Sequence, residues 1–152
     1  KLNITKAALY YYFTGKEELF CSVLDDTFLT IQNEIDLVNV DKKPADVLME
    51  IITVYLDFGV REKSFVKLLL PKISLENKDI LERVFKIKKW LEKKIKCSLK
   101  EINTDYKKKE LEIDTVIIVS MLEGLLLENS IANVKFDAKV LAQRIVLLVV
   151  GV

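Results

Sequence analysis

Hydrogen-bond donors suited to oxyanions crowd the first sixteen residues. Thr5 and Lys6 put a hydroxyl and a positive charge at the start of a short helical segment, and Tyr10, Tyr11 and Tyr12 put three phenols at its end. A phenol donates to a phosphate oxygen while its ring packs on protein. Lys16 falls in the first turn of the following helix, where open N–H groups and the helix dipole also favour an anion. Between these donors lie Ala7 and Ala8, small enough for the helix backbone to approach a groove closely. Phosphate donors flanking a slim helix are what a reader of the DNA major groove needs. The plainer reading of the same residues is the capped edge of a helical bundle.

Other chemistry is poorly supplied. Histidine is absent from the 152 residues, which removes the commonest general base and the commonest metal ligand. No Glu-x-x-His pair, glycine-rich phosphate loop or nucleophile signature occurs, so no catalytic residue, no metal site and no cofactor is expected, and the chain does not read as an enzyme. Cys21 and Cys97 stand far apart and in no Cys-x-x-Cys pattern, which suits small apolar fillers in a reducing cytosol. The formal net charge is +1, so nucleic-acid binding has to rest on a local site. The lysines between 86 and 109 (Lys86, Lys88, Lys89, Lys93, Lys94, Lys96, Lys100 and Lys107–Lys109) alternate with Glu92 and Glu101 opposite an apolar stripe, and read as a solvated helix face.

The elements that must position these residues are helices. Only 4 glycines and 2 prolines occur, and Leu, Ile, Lys and Glu abound, which argues against many hairpins and for long helices. The pattern predicts a short helix over 4–13, with Thr5 as N-cap and Ile4 and Leu9 as a hydrophobic staple. Thr14-Gly15-Lys16-Glu17 matches a capping box opening a helix over about 16–38, whose stripe is Leu19, Phe20, Val23, Leu24, Phe28, Ile31 and Ile35. Pro44 suits the first turn of a helix over 44–58 that Gly59 stops. Helices follow over 62–70, ending before Pro71, and over 77–101 with Asn77 as N-cap. After a polar connection at 103–110 the last two helices cover 111–132 and 137–152, with Asp137 as N-cap. The fold class is all-α. The longest apolar runs, 115–122 and 145–152, are too short to span a bilayer, and no signal peptide is visible, so a cytoplasmic location and no membrane partner are expected.

The stretch from Leu2 to Phe20 resembles the second half of the helix-turn-helix of the TetR family of transcriptional regulators. Ile4, Thr5, Lys6, Ala7, Leu9, Tyr10, Tyr12, Phe13, Lys16, Glu17 and Leu19 fall on that family's pattern, while Asn3 replaces its usual turn glycine. The resemblance implies that Thr5, Lys6, Ala7, Ala8 and Tyr11 face the major groove and nearby backbone. It implies that Tyr10, Tyr12 and Lys16 contact phosphates, and that Leu9 and Phe13 seat the recognition helix. Residues 1–20 would be the C-terminal part of the DNA-binding domain and residues 21–152 a ligand-binding and dimerisation domain. The family has two more helices before this point, and the chain begins at Lys1 rather than Met, so a fragment of a longer chain is expected.

In the segment 115–129, Ile117, Ile118, Met121, Leu122, Leu125 and Leu126 cover more than one face, and between Val140 and Val152 only Gln143 and Arg144 are strongly polar. Helices apolar nearly all round must be buried, in a core or an interface. A homodimer interface is therefore expected, with Ile118, Leu122, Leu125, Leu126, Leu141, Ile145, Leu148 and Val149 as its candidates. The family resemblance agrees, and adds a ligand cavity in the middle helices, with Met49, Ile52, Tyr55, Phe58, Phe65, Leu69, Phe85, Trp90 and Met121 as candidate lining. Plain core packing is the simpler account of each of these singly. The resulting expectation is a bacterial, homodimeric, ligand-responsive regulator, a repressor in the family's manner. It would hold a palindromic double-stranded DNA operator and be released by a small apolar or aromatic effector. The alternative is a helical dimerisation or ligand-binding module that does not touch DNA.

Overall fold

The structure is a computed structural model that describes residues 11–69 and 77–151. The described residues form helices and their connections, with no strand among them. Tyr11 and Tyr12 are helical and Phe13 is not; residues 4–10 of the helix expected over 4–13, Thr5, Lys6, Ala7, Ala8 and Tyr10 among them, lie outside the described residues.

Helix α1 spans Lys16–Asp36. Its N-cap is Gly15, one residue later than expected, and the acid that closes the turn is Glu18 rather than Glu17. The Glu18 carboxylate accepts from the Thr14 N–H at 2.6 Å and the Thr14 hydroxyl at 2.5 Å. The capping box read from the sequence is therefore not formed: Gly15 has no side chain to cap the first turn, and Thr14, one residue before it, only donates to Glu18. Helix α2 spans Pro44–Arg61 and begins at the proline as expected. Gly59 does not stop it. The helix runs on until the Glu62 N–H bonds to the Phe58 carbonyl, and Gly59 is buried inside it.

Helix α3 covers Lys63–Leu69, α4 Lys78–Ile102 and α5 Lys108–Ala132. The last of these starts three residues before the expected boundary, because the lysine-rich end of the connection joins the helix. It ends at Asn133, whose left-handed backbone (φ 59°) suits asparagine. Helix α6 spans Ala138–Val150, capped as expected by Asp137, whose carboxylate accepts from the Val140 N–H at 3.0 Å.

Helix α2 is the centre of the molecule. It packs most extensively on α6 and also meets α1, α3, α4 and α5. The main core gathers Phe28, Ile31 and Ile35 from α1, Leu48, Ile52 and Leu56 from α2, Leu91, Ile95 and Leu99 from α4, and Ile118, Leu122 and Leu126 from α5. Ala142, Ile145 and Val146 of α6 complete it. A second, smaller cluster sits at the start of α1 and α4, where Cys21, Leu24 and Ile80 are buried with Phe20, Phe65, Val84 and Ile87 around them. Exposed ion pairs tie the rim of α1 to its neighbours: Arg83 to Asp25 at 3.0 Å, Arg61 to Glu34 at 2.6 Å and Lys94 to Asp36 at 2.5 Å.

By length and composition, α5 is apolar enough to cross a membrane, with a mean hydropathy of 1.5 over its most apolar 18 residues. The apolar run read over 115–122 understates it, because Leu125, Leu126, Leu127 and Ile131 continue the apolar content of the helix past Glu123. In the fold, one of its faces packs on α2, α3 and α4.

Candidate functional site

Three regions bear on function: the start of α1, a cavity among α1–α5, and an exposed face of α5 and α6. At the first, Tyr11 and Tyr12 stand 82% and 73% exposed, their rings 5.1 Å apart edge to face. Lys16, in the first turn of α1, is exposed as well. All three are open to a large partner. The Thr14 donors beside them hold the Glu18 carboxyl below its ordinary value, so the turn keeps its negative charge.

The cavity has a volume of about 100 Å³ and an almost wholly apolar wall. It lies where the main core meets the small cluster. Leu24, Thr27, Phe28 and Ile31 of α1 form one side, and Tyr55, Phe58 and Gly59 of α2 another. Glu62, Phe65, Val66, Ile87 and Leu126 complete its lining, and it stays open to one side. Phe65 stacks on Phe20 with centroids 5.7 Å apart, which links the cavity wall to the first turns of α1. Desolvation pushes the Tyr55 phenol up to about 12, and the negative charge of Glu123 adds to it. Gly59 fits its place tightly: a Cβ there would lie 2.4 Å and 2.5 Å from the two methyl carbons of Leu126.

Of the nine candidate lining residues, Tyr55, Phe58 and Phe65 line this cavity. Ile52 is fully buried in the main core, with Met49 packed against that core. Trp90 meets Phe28 edge to face at 5.6 Å, on the far side of Phe28 in an open groove with Asp25 and Arg83. Phe85 and Met121 are exposed, and Leu69 closes α3 with its side chain outside the described part. Sequence reasoning missed Leu24, Phe28, Ile31, Ile87 and Leu126 as lining. All five were legible as apolar helix residues, and no sequence signal separates a residue beside a void from one beside a neighbour.

The third region is an apolar surface. Ile113, Val116, Ile117, Met121, Leu127 and Ile131 follow one face of α5, with Ile131 64% exposed, and Val140, Leu147 and Leu148 are exposed on α6, Leu148 at 72%. Of the interface candidates, Leu148 lies on this surface, and Leu125, Leu141 and Val149 are half-buried beside the core. Ile118, Leu122, Leu126 and Ile145 belong to the chain's own core. These four were expected at an interface and are instead buried within the chain itself, because they lie on the faces of α5 and α6 that pack into the core. Cys97 is exposed, against its expected role as a filler, whereas Cys21 is buried as expected.

No family model and no curated protein matches the sequence. Among solved structures the fold is similar to that of a transcriptional regulator from Rhodococcus sp. Rha1, with a TM-score of 0.80 and 14% sequence identity. The similarity covers 97% of this chain and 78% of that one. The chain therefore has the all-α fold of that regulator.

Proposed function

We propose that the chain is the C-terminal bulk of a TetR-type transcriptional repressor, a cytoplasmic homodimer that holds a palindromic operator until a small apolar effector releases it. Residues 1–20 would complete the reading head and residues 21–152 would sense and dimerise. The observation that carries this reading is the direct continuity of the tyrosine-rich segment with α1. The phosphate donors Tyr11, Tyr12 and Lys16 stand exposed at one end of the helix whose middle turns line the cavity. Likeness of fold to a transcriptional regulator supports it.

The mechanism is a shift between two populations. A cavity of about 100 Å³ is smaller than the 150 Å³ void known to admit benzene, so an effector of that size has to displace its wall. Leu24, Phe65 and Ile87 are the wall residues shared with the small cluster under the start of α1. Displacing them tilts α1 and changes the spacing of the two reading heads. The dimer joins through the apolar face of α5 and α6, and its two-fold axis matches the operator's symmetry.

The test is selection of DNA by the full-length protein without ligand, followed by anisotropy titration of the selected duplex. A site with two-fold symmetry is expected. Lys16→Ala should weaken binding on every sequence alike and lower the salt slope by about one. Recovery of no symmetric site would overturn the reading and leave a helical module that does not touch DNA.

A further inference from the structure

The geometry points to a second binding site, separate from the DNA-reading segment and the apolar cavity. It is a basic cleft between the C-terminal half of α4 and the start of α5, shaped for an organic phosphate with an apolar body. Lys89, Lys93, Lys96 and Lys100 recur at spacings of four, three and four, so they share one side of α4. Lys108 of α5 faces them across a cleft of about 530 Å³. That size falls within the range of small-molecule sites.

Charge is concentrated there against the trend of the molecule. The flanking lysines are spent on carboxylates: Lys88 binds Glu123 at 2.8 Å, Lys94 binds Asp36 at 2.5 Å and Lys107 reaches Glu110 at 3.9 Å. Among the described residues, none of the five cleft lysines has such a partner. Glu92 and Glu112 are the acids of the cleft, which leaves five positive charges against two negative ones in a chain whose total excess is one. Uncompensated lysines around a concave site attract a multiply charged anion and bind phosphate as point charges.

The floor is not polar. Leu111 is buried beneath it, and Tyr106 donates its hydroxyl to Asp114 at 2.6 Å, which turns the phenol oxygen to α5 and leaves its ring as wall. An inorganic ion would leave that apolar wall wet, whereas a phosphate ester with a flat apolar body covers it. Duplex DNA fits less well. Asp36, which pairs with Lys94, is the last residue of α1, and the 21 residues of that helix set the cleft about 30 Å from the tyrosine segment.

Cys97 is exposed at the cleft and Cys21 is buried, so the alkylation rate of Cys97 reports occupancy directly. The experiment is iodoacetamide labelling of the full-length protein with 1-naphthyl phosphate as probe, and with inorganic phosphate and 1-naphthol as its two halves. At saturation the ester should slow Cys97 labelling about tenfold, and each half alone less than about twofold. The triple variant Lys93→Gln, Lys96→Gln, Lys100→Gln should lose the protection while keeping its circular dichroism, and the matching triple arginine variant should retain it. An unchanged rate at millimolar ester overturns the site, and so does full protection in the glutamine variant. Protection by non-operator duplex at lower phosphate concentration than the ester also overturns it, in favour of a polyanion surface. None of these outcomes depends on whether the protein finds an operator.

Discussion

The two long faces of α5 are made of nearly the same residue types and meet opposite fates. Leu111, Ile118, Val119, Leu122 and Leu126 are buried on the side that packs into the core, while Ile113, Val116, Ile117, Leu127 and Ile131 on the other side are exposed. Apolar character therefore does not say which face is core. What separates them is the company that the remaining helices provide, and the face without company has the composition of an interface.

The largest test of that contrast is stability. Leu122→Ala should cost about 3–4 kcal/mol in urea unfolding, since a fully buried leucine leaves a cavity that its neighbours fill only in part. Ile117→Ala on the opposite face should cost less than about 0.5 kcal/mol in the monomer. Equal losses would mean that the two faces are not distinct. Next in size is association. Ile117→Lys should raise the dimer dissociation constant about a hundredfold, seen in light scattering as a fall from twice 17.5 kDa to once. A wild-type protein that already scatters as a monomer would remove the interface reading.

At the edge of the buried face, Gly59→Ala should change stability by no more than about 1 kcal/mol. The gain in helix propensity is offset by moving the Leu126 methyls, which are the flexible end of their side chain. The expected structural result, readable by crystallography, is Leu126 rotated into the cavity. A loss well above that figure would show that Leu126 has nowhere to go.

Two acids on α5 give the smallest effect. Asp114 accepts from Tyr106, whose phenol is pushed up to about 12 mainly by burial and then by that bond, and Glu123 helps to raise Tyr55 to a similar value. A phenol harder to ionise in the fold than in the unfolded chain contributes stability that is intact below about pH 10 and lost as the pH rises toward 12. Urea midpoints should therefore fall over that window. In the double variant Tyr55→Phe, Tyr106→Phe the fall should be shallower; an unchanged slope would assign it to other groups.

Much of the frame was legible in the sequence. Of the stripe read on α1, Leu24, Phe28, Ile31 and Ile35 are buried as their spacing predicts while Val23 is exposed, and Pro44 and Asp137 open their helices. Three features escaped for physical reasons. Glu17 and Glu18 are both acids in a first turn, and only backbone geometry selects which one Thr14 meets. Gly59 reads as a helix stop because nothing local reveals the leucine packed on it. The face of α5 was ambiguous because a helix apolar all round has no periodicity to read. Of the candidate site, the presence of an apolar void among the middle helices was anticipated. Most of its walls were not, because a void is defined by what several helices fail to fill.

Gly59 also bears on how this cavity can persist over generations. Glycine inside a helix costs about 0.5–1 kcal/mol relative to alanine. A glycine codon is one base change from an alanine codon, so a more helical variant with a smaller void is always within one mutational step. Because moving Leu126 offsets the helix-propensity gain, the step toward a closed cavity is close to neutral in stability, and little but use of the void opposes it. A lineage in which the void had no use would be expected to lose it there first.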